Sequence, residues 1–179
     1  KPLHVVPNHM LEQYAADFQK AYPDAKILVA DKDDFTGDRR KHFVAQCATG
    51  NWDAVIMTHS SFGKIGVSPQ REAEFLRQRI DEYTSMIEKA KEDGDRFTVK
   101  MFEKLKKTRE EKIQNLLKSD AKDKGITFEE MGIDRLFVDE AHLFKNLEFT
   151  TRTKGVSQSA SQRAMDLFMK IGYLESINQ

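Results

Sequence analysis

The residues RLFVDEAH at positions 135–142 place an apolar run directly before two carboxylates and an imidazole. Residues 136–138 predict a strand that is buried on both faces of a parallel sheet. Asp139 and Glu140 then fall at the carboxyl end of this strand, the edge at which open α/β sheets bind their ligands. Adjacent carboxylates are costly to bury unless a cation neutralises them. The segment therefore predicts a site that works with a cation.

Three further apolar runs precede this strand and predict the other strands of the sheet. They are residues 3–6, 26–30 and 54–57, and polar or turn-forming residues follow each of them. Helical periodicity separates the runs, and we expect Asn8 and Asp38 to be the N-caps of the two intervening helices. Strands that alternate with helices at short spacing predict an α/β fold with a parallel sheet flanked by helices.

Residues 68–125 separate the third predicted strand from the fourth and carry two long apolar stripes at helical spacing. Because Asp-Gly-Asp at residues 93–95 interrupts the pattern, we predict an inserted antiparallel helical hairpin. The predicted domain boundaries are accordingly 1–67, 68–125 and 126–179.

The second predicted helix of the hairpin carries a basic cluster. Interleaved glutamates favour a solvated helix face over a track that contacts nucleic-acid phosphates. A docking arm for a protein partner and a wedge at a DNA fork both stay open as roles for the hairpin. The cluster consists of Lys100, Lys104, Lys106, Lys107, Arg109 and Lys112.

The remainder of the chain predicts connecting segments and one more helix. Residues 127–130, Thr-Phe-Glu-Glu, resemble a capping box that starts a short helical turn. Residues 148–161 contain few large apolar side chains and predict a mobile loop. A helix from about Gln162 would then carry one apolar face, formed by Ala164, Leu167, Phe168 and Ile171.

Composition excludes several classes of protein. The 179 residues have zero net charge, 39% hydrophobic and 32% charged side chains, which suits a compact core with solvated helices and not disorder. The single cysteine, Cys47, excludes an internal disulfide, fits a reducing compartment and is expected in the core. No apolar run approaches the roughly 18 residues of a membrane span. We therefore expect a cytoplasmic protein without a membrane partner.

The histidines do not have the spacing of a metal site. We expect structural roles for His4 and His42, which lie within a predicted strand and a predicted helix. Asn8, His9, Thr58 and Ser60 instead lie at the carboxyl ends of predicted strands, where polar groups can bond to phosphate oxygens. Capping of the local loops is the alternative for these side chains.

Several stretches together resemble superfamily-2 helicases. VDEAH at residues 138–142 resembles motif II, the Walker B motif, and VVPN at residues 5–8 resembles motif Ia. Residues 53–62 resemble the strand and loop that precede motif II, and Lys145-Asn146 is similar to a Lys-Asn pair of the Swi/Snf-type branch. Most closely, the chain resembles the helicase part of large phage, plasmid and conjugative-element proteins that carry an adenine-specific DNA methylase region.

The resemblance implies a partial RecA-like P-loop NTPase domain and an ATP-dependent DNA helicase or translocase with Mg²⁺ and ATP as cofactors. Asp139 would coordinate Mg²⁺, Glu140 would act as the base toward the hydrolytic water, and His142 would couple the nucleotide to the DNA. The host would be a bacterial or phage-infected cell. The implied contacts with the backbone of duplex DNA are Pro7, Asn8, His9, Thr58, His59, Ser60, Lys145 and Asn146.

The chain departs from that family in two respects. It contains no Gly-x-x-x-x-Gly-Lys-Ser/Thr sequence and no Ser/Thr-Ala-Thr-like motif III. We expect the P-loop before Lys1 and motif III beyond Gln179 in a longer protein. Since the amides and the lysine that bind the β- and γ-phosphates are then missing, we predict that this chain alone does not hydrolyse ATP.

Two other functions stay open from the residues alone. One is a non-catalytic module, derived from a helicase lobe, that binds DNA or protein. The other is a Mg²⁺-dependent phosphoryl-transfer enzyme such as a nuclease, which would need further carboxylates close to Asp139. The candidates for those carboxylates are Asp31, Asp33 and Asp34.

Overall fold

The computed structural model describes residues 1–36, 39–119, 126–147 and 161–178. The chain divides into two compact units. The first contains the described residues up to Val67 together with those from Ile126 onward, and the second contains residues 68–119.

A four-stranded sheet, parallel throughout, lies at the centre of the first unit. Its order is β2-β3-β1-β4. The predicted α/β fold is confirmed, and the sheet with its flanking helices is compatible with a partial RecA-like domain. The strands are β1, Pro2–Val6; β2, Ile27–Val29; β3, Ala54–Thr58; and β4, Arg135–Val138.

Six α-helices belong to the described residues, and four of them lie in the first unit. The apolar periodicity predicted the long helices to within a few residues because each presents one stripe to a core. In chain order they are α1, Leu11–Ala21; α2, Arg39–Thr49; α3, His59–Phe62; α4, Pro69–Glu92; α5, Arg96–Ser119; and α6, Gln162–Ile177.

Strand β3 is the most deeply buried strand of the sheet. All five of its residues are buried, because β2 and β1 pair with it on either side. The predicted core position of Cys47 on α2 is also confirmed, since its side chain has no exposed surface. Burial raises the pKa of the Cys47 thiol to about 11.

The prediction that the fourth strand is buried on both faces is wrong for β4. Phe137 is 53% exposed, and Leu136 and Val138 are only half-buried. Among the described strands β4 pairs with β1 alone, so it forms an edge of the sheet. On one face, the Phe137 ring stacks on the His4 ring of β1 at a centroid distance of 4.8 Å.

Two capping predictions need correction. Asn8 does not cap α1, since a 3₁₀ turn at Asn8–Met10 precedes that helix and neither element has a side-chain cap. Glu130 accepts a hydrogen bond from the Thr127 amide at 2.8 Å, but the short 3₁₀ turn at Glu129–Met131 begins after Phe128 and has no side-chain cap. The predicted cap at Asp38 and all of the predicted loop at 148–161 except Ser161 lie outside the described residues.

The predicted apolar face of α6 is buried only in part, since Ala164 is buried and Leu167 packs against the core. Phe168 and Ile171 are exposed, while Ala164, Met165, Met169, Lys170 and Leu174 are buried. Methionines and a lysine stem occupy the buried side of α6, because both can fill apolar space.

The second unit is an antiparallel pair formed by α4 and α5, joined by a turn at residues 93–95. Ser68 caps α4 through the Arg71 amide. The core of this hairpin consists of two apolar clusters, one around Ala73, Leu76 and Ile113 and the other around Tyr83, Ile87 and Phe102. The predicted helical hairpin is therefore present among the described residues.

Candidate functional site

The carboxyl ends of β1, β3 and β4 bring three polar segments together, as parallel strands require. The segment after β3 bonds to each of the other two. Ser60 Oγ donates a hydrogen bond to Asn8 Oδ1 at 2.7 Å. The His59 ring nitrogen Nε2 lies 2.9 Å from the carbonyl oxygen of Asp139. The site is thus one connected hydrogen-bonded group and not three separate loops.

Thr58 and His59 are directed into the protein. Both side chains are 6% exposed. The Thr58 hydroxyl accepts the Ser61 amide and so begins α3, while the edge of the His59 ring packs against Phe144 at a centroid distance of 5.2 Å. These two residues organise the segment after β3.

The segment after β1 leaves two polar side chains in solvent. Pro7 is buried and its carbonyl oxygen accepts the Met10 amide, whereas Asn8 and His9 are exposed. Together with the exposed Ser60, they provide the polar surface beside the carboxyl end of β1.

The backbone of β4 continues its ladder by one residue before it turns. The Asp139 amide donates to the Val5 carbonyl oxygen at 2.9 Å, and Asp139 Oδ1 accepts the Glu140 amide at 2.9 Å. Glu140 adopts the left-handed conformation with φ 52° and ψ 44°. This sharp turn leaves the side chains of Asp139 and Glu140 exposed at the edge of the sheet.

Glu140 and His142 face each other across that turn. Glu140 Oε2 lies 2.9 Å from His142 Nδ1, and both side chains are more than half exposed. The contact is an ion pair only when the imidazole is protonated, and solvent screening makes such exposed pairs weak. A ligand that approaches Glu140 can therefore displace His142 at little cost.

Lys145 and Asn146 follow the 3₁₀ turn at Ala141–Phe144, and both are exposed. Asn146 has φ 71°, and its carbonyl oxygen accepts the Ser161 amide at 2.9 Å. The Lys-Asn pair thereby connects the segment after β4 to the start of α6.

Sequence reasoning missed an aromatic group on the outer face of β1 and β4. His4 Nδ1 lies 2.9 Å from the Tyr14 hydroxyl, in addition to its stacking on Phe137. Burial lowers the pKa of His4. Burial also raises the pKa of Tyr14, and the negative charge of Asp139 raises it further. The parallel register, with His4 opposite Phe137, was the available signal for this group.

Lys170 was also missed, because a lysine on a helix is normally solvated. Its side chain is fully buried, and Nζ donates to the Phe62 carbonyl oxygen at 2.8 Å and to Asp166 Oδ2 at 2.6 Å. The ammonium lies 3.7 Å from the centre of the Phe62 ring. Burial lowers the pKa of Lys170, and the adjacent carboxylate of Asp166 opposes that shift. Lys170 thus fastens α6 to the end of α3.

The donor set at Asp139 fits a magnesium ion that takes most of its ligands from elsewhere. Mg²⁺ in nucleotide sites keeps several waters and binds one or two protein carboxylates plus phosphate oxygens. The part of the chain that the structure describes contains no cluster of three or more His, Cys, Asp or Glu side chains able to hold a metal. The exposed Asp139 carboxylate fits that arrangement.

The acidic loop after β2 lies away from Asp139. Strands β2 and β4 occupy opposite edges of the described sheet. The Asp31 carboxylate accepts the Lys32 amide and the Asp34 carboxylate accepts the Asp31 amide, so both cap their own 3₁₀ turn. These carboxylates therefore do not supplement the one at Asp139.

Fold and site together define a parallel α/β domain that gathers polar side chains and one acidic pair at the carboxyl edge of its sheet. A family model described as a probable helicase domain matches residues 1–179. The chain belongs to this probable helicase domain family.

No curated protein and no solved structure matches the chain. Among the described helices, none combines the length and the apolar character that crossing a membrane demands. The expectation of a helicase is confirmed at the level of the family, while the DEAH and Swi/Snf-like subtype stays a prediction.

Proposed function

We propose that this chain is part of the ATPase motor of a superfamily-2, Swi/Snf-like DNA helicase or translocase. One observation supports this above all. The Asp139-Glu140 pair lies at the carboxyl end of a parallel strand, and His59 bonds directly from the polar segment after β3 to the Asp139 backbone. Such an arrangement suits a protein that relates the state of a nucleotide to contacts with nucleic acid.

In this proposal the two acidic residues have different roles at the nucleotide site. Asp139 would hold Mg²⁺ through its exposed carboxylate, and the turn at Glu140 keeps that carboxylate at the strand end. Bound Mg-ATP supplies the phosphoanhydride to be cleaved. Glu140 would orient a water and take its proton at a carboxylate oxygen, and using Oε2 for this would break its contact with His142 Nδ1. His142 is then the residue whose contacts change with the nucleotide.

The proposed DNA contacts divide into two groups by exposure. Asn8, His9 and Ser60 are exposed and bind phosphate oxygens, as do Lys145 and Asn146 after the DEAH segment. Pro7, Thr58 and His59 are buried and set the shape of that surface. Phosphate contacts of this kind fix position on DNA without reading its sequence.

ATP hydrolysis by the complete protein, in which we expect this chain to lie, tests the proposal. Glu140→Gln should lower DNA-stimulated turnover by about 10²–10⁴-fold, as for loss of a general base, and leave DNA binding intact. The matched control Glu12→Gln, an exposed acid on α1, should keep full turnover. Equal turnover in the Glu140→Gln and Glu12→Gln variants would contradict the role of Glu140.

The 179-residue chain by itself provides a second measurement. We expect no ATP hydrolysis from it with or without DNA, because it contains no P-loop sequence. Robust DNA-stimulated hydrolysis by the isolated chain, abolished by Glu140→Gln, would show that the phosphates are bound in some other way.

A further inference from the structure

The turn of the hairpin is stabilised by hydrogen bonds and by ring stacking. Gly94 adopts φ 71°, and the Asp95 carboxylate caps α5 by accepting the Thr98 amide and hydroxyl at 3.2 and 2.7 Å. Close behind the turn, the rings of Tyr83 and Phe102 stack at a centroid distance of 5.8 Å. The backbone that positions the side chains near the turn is therefore well ordered.

Two large apolar side chains on α5 nevertheless point away from the hairpin core. Phe97, in the first turn of the helix, is 71% exposed, and Met101, one turn later, is also exposed. The neighbouring Phe102 is buried. An exposed phenylalanine beside an exposed methionine on a capped helix forms a small apolar surface that a partner can contact.

Lysines without acidic partners flank these apolar groups. Lys100, Lys104 and Lys107 are exposed and follow one another at steps of four and three, so they lie on one side of α5. Within residues 68–119 none of the three forms an ion pair.

Other lysines of the basic cluster form contacts inside the hairpin. Lys106 bonds to Thr84 at 3.1 Å and Lys112 to Glu72 at 2.7 Å. The basic cluster of α5 thus includes lysines held in internal contacts and three exposed lysines on one side of the helix, with the exposed Glu103 between Lys100 and Lys107.

A groove at the turn extends this positive surface. It has a volume of about 480 Å³, and its lining includes Lys91, Arg96 and Lys100 but only one acidic side chain, Glu103. Lys100 belongs both to the groove and to the exposed lysines beside Phe97. Three cations around a concavity, next to an exposed ring, are complementary to a phosphate chain that carries flat bases.

We propose that this surface, formed by Phe97, Met101, Lys100, Lys104 and the adjoining groove, binds single-stranded nucleic acid. A base stacks on the Phe97 ring while the lysines and Arg96 contact phosphates. The choice of nucleic acid as the partner rests on the proposed function. The contact itself is independent of ATP and of the site in the first unit.

Fluorescence of the 179-residue chain provides a local test. Phe97→Trp preserves an aromatic surface, and its emission, after subtraction of the unsubstituted chain with its single Trp52, should be quenched by a dT20 oligonucleotide. In anisotropy titrations with labelled dT20, Phe97→Ala should weaken binding about tenfold, within the range for loss of one stacked base, whereas Phe97→Trp should restore it.

Two measurements distinguish the contribution of charge to the affinity from that of base stacking. One is the salt dependence of binding, and the other is binding to heparin, a polyanion without bases. Replacing both Lys100 and Lys104 by alanine should make the slope of log Kobs against log salt shallower by about 1.4, or ~0.7 per phosphate contact. Phe97→Ala should leave the affinity for heparin unchanged. The matched control is Leu117→Ala, which removes another half-exposed apolar side chain from the same helix.

Two results would overturn the proposal. One is equal dT20 affinity of the Phe97→Ala and Leu117→Ala variants, and the other is unquenched emission of the Phe97→Trp variant at saturating dT20. Either result would point to a protein as the occupant of this surface. Neither would affect the motor proposal, which is measured by ATP turnover of the Glu140→Gln variant.

Discussion

At the scale of single residues, Glu140 occupies a backbone conformation that glutamate rarely adopts. Its φ of 52° and ψ of 44° lie in the left-handed region, which costs an L-residue about 1–2 kcal/mol. Glycine would remove that cost, and asparagine would reduce it, as it does at Asn146 with φ 71°. A carboxylate retained at a strained position is consistent with a chemical role for that side chain.

Glu140→Gly should therefore make the protein more stable while removing the proposed base. We expect the free energy of unfolding in urea to rise by about 0.5–1 kcal/mol, since relief of the strain exceeds the added entropy of the unfolded chain. Asn146→Gly should change it by less than about 0.5 kcal/mol, because asparagine already tolerates this conformation. A loss of stability in Glu140→Gly would mean that the contact with His142 outweighs the strain.

His4 should make stability depend on pH. Burial lowers its pKa below the ordinary value of 6.5, so the unfolded chain takes up a proton at a pH where the folded protein still resists it. The free energy of unfolding should therefore fall as the pH drops below 6.5 and level off below the lowered pKa.

Urea midpoints between pH 7.5 and 5 would measure this effect. His4→Phe preserves a ring next to Phe137 and should flatten the profile over that range, whereas His42→Asn, at an exposed site on α2, should leave it unchanged. An unaltered profile in His4→Phe would assign the pH dependence to another group.

At the scale of elements, sequence periodicity predicted which segments form strands and helices but not every face that is buried. Strand β3 and the two hairpin helices met expectation, because buried strands are continuous apolar runs and packed helices carry one stripe. The departures at Phe137 and along α6 arose differently. Which face is covered depends on elements remote in sequence, and a local pattern contains no information about them.

Two glycines in helical settings should respond oppositely to alanine. At Gly50, after α2, a β-carbon would lie 2.2 Å from the Trp52 indole nitrogen and 2.9 Å from the Gln46 carbonyl oxygen. We expect Gly50→Ala to lower the free energy of unfolding by about 1–3 kcal/mol, since the indole must move. Gly172, inside α6, has no atom within 4 Å of such a carbon, and Gly172→Ala should stabilise by about 1 kcal/mol.

Thermal unfolding of both variants would measure this contrast. If Gly50→Ala were neutral, the indole of Trp52 would have another position available. If Gly172→Ala were destabilising, the space beside that glycine would not be open in solution.

At the scale of the whole molecule, the sequence predicted where the site would form but not how it is held together. Parallel strands that end in polar residues had to bring Asn8, Ser60 and Asp139 to one edge. The bond from His59 to the Asp139 carbonyl oxygen and the buried ammonium of Lys170 could not be predicted. Both depend on side-chain directions and on packing between segments about 80 and 108 residues apart.

The two compact units have separate apolar cores, so we expect them to open separately. Tyr83 packs with Ile87 and Phe102 inside the hairpin, while Phe43 packs in the core beneath the sheet. Truncating either ring to alanine leaves a cavity that costs about 3–5 kcal/mol. Because local opening follows cooperative units, each loss should appear mainly in the unit that contains the cavity.

Amide hydrogen exchange of the 179-residue chain, read by mass spectrometry, would detect this separation. Tyr83→Ala should speed exchange throughout α4 and α5 and leave the amides of β1 and β3 protected as before. Phe43→Ala should produce the converse pattern. Equal acceleration of all these segments in both variants would mean that the hairpin and the sheet unfold as one cooperative unit, since a cavity in either core would then lower the stability of both.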